Sequence, residues 1–173
     1  MSLPDNFTLS LFIRTFYFMI KHFTSTVFIV HNQKIALHWH KKVCEWLPAG
    51  GHIDKNETPV EAGIREVNEE MGIEVKIISN SNYNFDEIET VPVPEAILIE
   101  SVRDDDIGEH QHIDFVYFGV PINDSIILLS DWIWISADEL ISELKLTNSN
   151  GLSKSPPEDV IKLGLQAIKK LSV

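Results

Sequence analysis

Apolar and polar positions alternate in short runs along most of the chain, and one stretch near the middle switches to a helical period. Residues Phe23-Thr-Ser-Thr-Val-Phe-Ile-Val30 are rich in β-branched and aromatic types, His31-Asn32-Gln33 supplies a turn, and Ile35 to Trp39 forms a second run. Together they predict a hairpin. Glu74 to Ile78, Ala96 to Val102, Ile113 to Val120 and Trp132 to Ile135 are further predicted strands, several with alternating apolar positions. Ser79 to Asp86 and the acidic run Asp104-Asp-Asp106 predict loops.

Three helix starts follow from capping chemistry, in which a Ser or Thr accepts a backbone N–H and a Glu three residues on reaches back. They are Thr58-Pro-Val-Glu61, Ser136-Ala-Asp-Glu139 and Ser155-Pro-Pro-Glu158, the first and third with Pro at the first helical position. Gly72 ends the first helix, the second fades before Asn148-Ser-Asn-Gly151, and the third runs to the C-terminus. At about 100° per residue, Val60, Ile64, Val67 and Met71 fall on one stripe of the first helix, predicted to face the core. Interleaved strands and helices predict an α/β fold, with neither internal repeats nor low-complexity tracts.

Composition narrows the class. The 173 residues fit one domain, and 44% hydrophobic with 23% charged residues is an ordinary globular balance. A net charge of −12 argues against a nucleic acid polymer as partner, since such binding relies on Lys and Arg neutralising many phosphates. An anionic ligand therefore needs a bound cation or a local basic patch. The single cysteine, Cys44, excludes an intrachain disulfide, favours a cytoplasmic location and is expected to be a free, half-buried thiol. The apolar run Leu9 to Ile20 contains Arg14 and falls short of the roughly 20 residues that span a bilayer, so no membrane partner is expected. Asp5 before it and Lys21-His22 after it do not suit a secretory signal.

The helix from Pro59 to Met71 carries the candidate chemistry. Glu66, Glu69 and Glu70 stand at i, i+3 and i+4, gathering three carboxylates on what is predicted to be the solvent-side flank. A solvated helix would intersperse Lys here, yet its only cation is Arg65. Like charges held together in this way call for a divalent cation, and all-oxygen ligands suit Mg²⁺ or Mn²⁺. In Trp46-Leu-Pro-Ala-Gly-Gly51, glycine lets backbone groups approach a ligand closely, which adds Gly51 to the candidate metal set. Glu57, just outside the helix, is placed to fold back toward the carboxylates. Arg65 is expected to hold Glu57 or Glu69 with its two-pronged guanidinium rather than to grip substrate.

At these residues the chain resembles the Nudix family, whose signature is G-x5-E-x7-R-E-U-x-E-E-x-G-U with U aliphatic. Gly51, Glu57, Arg65, Glu66, Val67, Glu69, Glu70, Gly72 and Ile73 fill every fixed position. Matches of this kind arise by chance on the order of 10⁻⁸ to 10⁻⁹ per start position, given typical residue usage. Gly63 stands where the family often has Ala, at a cost to the helix of about 1 kcal/mol. The resemblance implies an α/β/α sandwich with a central mixed sheet, the catalytic helix on one side and the C-terminal helix on the other, over residues 22–173. Residues 1–21 are then an N-terminal extension, which packs on the domain, completes a homodimer or plays no catalytic part. It also implies metal-dependent hydrolysis of a diphosphate linkage in a small-molecule substrate, a nucleoside diphosphate joined to another moiety. Catalytic roles fall to Glu66, Glu69, Glu70, Arg65 and Glu57, with Glu66 and Glu70 as first metal ligands and Glu69 sharing ligation. Glu66 and Glu109 are the alternatives for the base.

Other signals are weaker. His38, His40, His52, His110 and His112 lack the i, i+4 helical pair with a Glu found in zinc proteases. Strand alternation puts His38 and His40 on one face, as it does His110 and His112, so either pair is a candidate for lining the substrate cleft, His110 and His112 together with Glu109; a solvated loop is the alternative for Glu109 and its acidic neighbours. Trp132 and Trp134 share a face and read as core or sheet packing, as do Phe115 and Tyr117. Pro92, Pro94 and Tyr83 fall off the spacings by which family members signal ADP-ribose or dinucleoside polyphosphate preference, so the pocket stays unnamed. The rival readings are a ligand-binding or regulatory module on the same scaffold, against which the intact glutamates count, and an isopentenyl diphosphate-type isomerase, whose cysteine context Cys44 lacks.

Overall fold

A computed structural model of the protein describes residues 19–79, 83–104, 107–123, 126, 128, 129 and 131–172. Most of the apolar N-terminal segment, Asp105 and Asp106, and part of the predicted 79–86 loop lie outside the described residues. The predicted hairpin forms as β1 (Lys21–His31) and β2 (Lys34–His40). Its turn places Asn32 and Gln33 at φ 49° and 60°, the pair of left-handed residues that matches the twist of a two-residue hairpin. Next come β3 (Glu45–Leu47), β4 (Ala49–His52), α1 (Pro59–Met71), β5 (Val75–Ile77), β6 (Ala96–Asp104) and β7 (Gly108–Pro121). After them follow β8 (Trp132–Ser136), α2 (Ala137–Ile141), a two-stranded ladder of β9 (Leu146–Thr147) and β10 (Ser153–Lys154), and α3 (Glu158–Leu171).

The main sheet is mixed. Strand β1 runs parallel to β7 from Lys21↔Gln111 to Ile29↔Gly119, while β5 and β6 pair antiparallel with β7. The other edge of β1 carries β4 along residues 24–27 and meets β2 only at its tip, and β2 in turn pairs with β3 and β8. Strict alternation along β1 sends Val27 and Ile29 into one core with Val67 and Met71 of α1, and Phe28 and Val30 into another with Val160, Ala167 and Ile168 of α3. Two apolar faces, each covered by a helix, make the expected α/β/α sandwich. Trp132, Trp134, Phe115 and Tyr117 all pack within the α1-side core.

Four local expectations are corrected. The buried face of α1 is Ala62, Gly63, Val67 and Met71, whereas Ile64 is 37% exposed and Val60 only partly buried. The cause is Gly63: a Cβ there would lie 2.7 Å from Val27 Cγ2 and 2.9 Å from Ser25 Oγ, so the helix approaches the sheet through its missing side chain and turns its stripe accordingly. The flank bearing Glu66 and Glu70 is consequently half-buried rather than solvated; Glu69 alone of the three is exposed. The boxes at Thr58 and Ser136 form on both sides, but that at Ser155 does not. Pro157 takes the cap position with no side-chain bond, and Ser155 Oγ donates to the Glu143 carbonyl instead. Cys44 is exposed, at φ 55° in the turn between β2 and β3.

Candidate functional site

The four glutamates converge because the turn after β4 brings Glu57 back over the first half of α1, whose capping box at Thr58 fixes where the helix begins. Arg65 is the hub. Its Nε and Nη2 donate to the two oxygens of Glu57 at 2.9 and 3.0 Å, and its Nη1 donates to Glu66 Oε1 at 2.7 Å and Glu69 Oε2 at 3.1 Å. Nη2 also donates to the His52 carbonyl at 2.9 Å, tying the helix to the end of β4. Glu57 and Glu69, expected as alternative partners, are both held, and the contact to the adjacent Glu66 is additional. A fork gripped on both prongs strengthens each bond and fixes its direction, and the same bonds hold the Glu57 carboxyl below the usual carboxylate range.

Glu70 has a different setting. It lies beneath Gly50, whose N–H donates to Oε2 at 3.3 Å, and Trp132 Nε1 donates to its backbone carbonyl at 3.0 Å. Burial, only partly offset by the Gly50 bond and added to by repulsion from Glu66 and Glu69, pushes its pKa up to about 7. Gly51 pairs with Ser25 across the ladder, and a Cβ on it would fall inside the Glu66 carboxyl, 2.6 Å from its Cδ. A side chain at residue 51 would fill the space the carboxylate uses. The donor set is entirely oxygen, rich in negative charge and held on a rigid helix, which fits a hard divalent cation.

The same glycines form one wall of a cavity of about 310 Å³ on the α3 side of the sheet. Thr24, Leu98, Glu100, Asp114 and Val116 line its sheet face, with His38, His40 and Lys42 from the β2 end and Asp159 from α3. Thr24 Oγ1 donates to Asp114 Oδ1 at 2.8 Å. Burial, with repulsion from Asp114 and Asp159, raises Glu100 to about 7, and burial raises Asp114 against the hydroxyl bonds of Thr24 and Thr26. Burial and the neighbouring His40 lower His38 to about 4, and it stacks on Trp132 with ring centroids 4.4 Å apart. The acids Glu100, Asp114 and Asp159 were missed by sequence reasoning; the available signal was a carboxylate at an alternating apolar position in each of two strands.

Of the other candidates, His112 lines this cavity while His110 is buried behind it, its Nε2 3.1 Å from His112 Nε2. Glu109 is one strand position off the face they share, 74% exposed, and opposite Arg103 at 3.8 Å. Asp104 ends β6, and its side chain lies outside the described residues.

Comparison with known proteins agrees with this architecture. The profile of the NUDIX domain matches residues 21–154. A NUDIX-family hydrolase from Clostridium perfringens is 29% identical, with a TM-score of 0.69 over 87% of this chain and 97% of that one. A UDP-X diphosphatase aligns at 15% identity and TM-score 0.52 over 92% of this chain and 66% of its own, and an Ap4A hydrolase from C. elegans at 17% and 0.50 over 89% and 96%. These last two likenesses are of fold alone. No curated protein sequence matches significantly. A domain profile covering most of the chain, together with the 29% identical structure, shows that this protein belongs to the Nudix family and is a Nudix hydrolase.

Proposed function

We propose that the protein hydrolyses the diphosphate linkage of a nucleoside diphosphate derivative, with Mg²⁺ or Mn²⁺ held by Glu66 and Glu70, Glu69 sharing ligation and the Gly51 backbone at the rim. The observation that carries this reading is the junction at Gly50 and Gly51, which touch Glu70 and Glu66 on one side and wall the cavity on the other. A diphosphate at that junction reaches the carboxylates while its organic group occupies the cavity. When bound, the divalent cation supplies charge neutralisation at the phosphoryl oxygens and lowers the pKa of the attacking water. Arg65 is a positioning residue, orienting Glu57, Glu66 and Glu69, and the proton released by the water passes to a carboxylate of this cluster.

A volume near 310 Å³ is at the small end of ligand pockets and accommodates a nucleoside-sized group. Glu100, raised to about 7 by burial, both donates and accepts hydrogen bonds near neutral pH, and with Asp114, whose carboxyl burial also raises, it suits an uncharged base or sugar better than a phosphate. The names UDP-X diphosphatase and Ap4A hydrolase, carried by two proteins of this fold, accord with a nucleotide substrate.

A panel of nucleoside diphosphate sugars, dinucleoside polyphosphates and nucleoside triphosphates, assayed with Mg²⁺ and Mn²⁺, tests the reading. At least one should be cleaved, only with metal, and Glu70→Gln should lower turnover by orders of magnitude while the protein stays folded. Undiminished cleavage in excess chelator, or wild-type turnover by Glu70→Gln, overturns it.

A further inference from the structure

Beyond the carboxylate cluster, three imidazoles converge from three adjacent strands. His22 of β1 sits directly opposite His112 on the parallel ladder with β7, and β4 places His52 opposite Thr24, two residues along from His22 on the same face. The backbone is pinned on both sides, since Ile53 N–H donates to the Phe23 carbonyl at 3.0 Å and Gln111 N–H to that of Ile20 at 2.9 Å. One ring nitrogen from each histidine lies within 4.8 Å of the other two, and His22 Nδ1 and His52 Nε2 are 3.2 Å apart. Two ligands on a tetrahedral Zn²⁺ at bond lengths of roughly 2.0–2.1 Å stand about 3.3 Å apart, so this pair already has the required separation.

His110 adds an outer partner. Its Nδ1 is 3.0 Å from the Gly108 carbonyl, which can only accept, so Nδ1 carries the proton. Its Nε2 lies 3.1 Å from His112 Nε2, which holds the His112 ring in place. A ligating imidazole typically has its other nitrogen held by just such a bond.

We infer that His22, His52 and His112 form a binding site for a divalent cation of the Zn²⁺ type, separate in ligand chemistry from the glutamate cluster. Imidazole nitrogens select late first-row metals, whereas the carboxylates of α1 suit Mg²⁺ and Mn²⁺. Two of the ligands, His52 and His112, also line the cavity, so the fourth coordination position lies at its wall and is open to water or to a donor atom there. His52 serves both sites with different atoms: its carbonyl accepts from Arg65, and its ring faces His22. A cation here ties β1, β4 and β7 together at the cavity rim.

The test uses the full-length protein, freed of metal with chelator, and Co²⁺ and Zn²⁺ as probes. Wild type and Glu70→Gln should both bind one equivalent of Co²⁺ with the intense visible absorption of a tetrahedral nitrogen site, displaced by Zn²⁺. His22→Ala and His52→Gln should each weaken Zn²⁺ binding by at least about tenfold, the loss that even an outer partner of a metal ligand causes. Zn²⁺ should raise the thermal midpoint of wild type by mass action, and do so less in either variant. A His38→Ala/His40→Ala double variant should bind as wild type does. Unchanged affinity in both His22→Ala and His52→Gln, loss confined to the His38/His40 variant or to Glu70→Gln, or only the weak absorption of hydrated Co²⁺ would overturn the inference. Because Glu70→Gln removes a proposed Mg²⁺ ligand and leaves the imidazoles intact, failure here is distinguishable from failure of the catalytic reading.

Discussion

Arg65 shows how one side chain sets the geometry of several others. Its three nitrogens reach three carboxylates and one carbonyl, and its protonated form is held well above the ordinary arginine range by the bonds to Glu57 and Glu66. Lysine keeps the charge but has no planar fork, so it cannot hold Glu57 bidentately while also reaching Glu66. Arg65→Lys is therefore expected to weaken Mn²⁺ affinity and lower turnover by at least about tenfold, the scale seen when an outer partner of a metal ligand is lost. Binding of a non-hydrolysable diphosphate analogue at saturating metal should change little. Calorimetric titration of metal and of analogue separates the two, and loss confined to the analogue would make Arg65 a substrate ligand.

Among the elements, α1 is decided by its closest approach to the sheet. Its start and stop were legible, since the capping box at Thr58 and the left-handed Gly72 at φ 68° both form as local chemistry requires. The rotation of its buried face was not, because a helical stripe assumes that large apolar residues do the packing. Gly63 against Val27 and Ser25 does it instead. Gly63→Ala gains about 1 kcal/mol of helix propensity but overfills a site where Val27 is fully buried, an effect of about 1–3 kcal/mol. We expect a net loss of about 1 kcal/mol in chemical denaturation, because the strand cannot yield. A stabilised variant would show that the helix can shift outward. The start of α3 differs too: Ser155 has the spacing of a cap, but the helix begins only at Glu158 with Pro157 at the cap position, and the Ser155 hydroxyl donates to the Glu143 carbonyl that the fold brings to it.

At the scale of the whole molecule, two groups of acids flank the walls of one cavity, and proton binding by Glu100 is coupled to folding. Glu100 has its folded pKa raised from 4.5 to about 7, chiefly by burial. The native state thus binds more protons than the unfolded chain between these values, and stability falls as pH rises through that window. The contribution is fully present below pH 4.5 and is lost as the pH passes about 7. Glu100→Gln removes this titration, so denaturation of the metal-free variant between pH 4.5 and 7.5 should show a shallower decline than wild type. Parallel curves for the two proteins would place Glu100 in a solvated setting.

What the sequence by itself determined were relations within one element or between chain neighbours. Glu66, Glu69 and Glu70 lie together because the backbone hydrogen bonds of a helix fix rise and rotation per residue, so spacing alone states proximity. Gly51 and Glu57 entered through the motif and through their place beside that helix, and the hairpin through its turn residues. The tertiary structure alone decided whatever depends on strand order and register. The parallel pairing of β1 with β7 sets His22 beside His112, and β4 adds His52, although no period in the chain relates the three. The antiparallel pairing of β6 with β7 sets Glu100 near Asp114, α3 adds Asp159 to the same cavity, and packing through Gly63 half-buries Glu66 and Glu70. A residue's neighbours within a helix are fixed by bonds a few positions away, whereas its neighbours across a sheet follow from the lowest free energy of the whole chain.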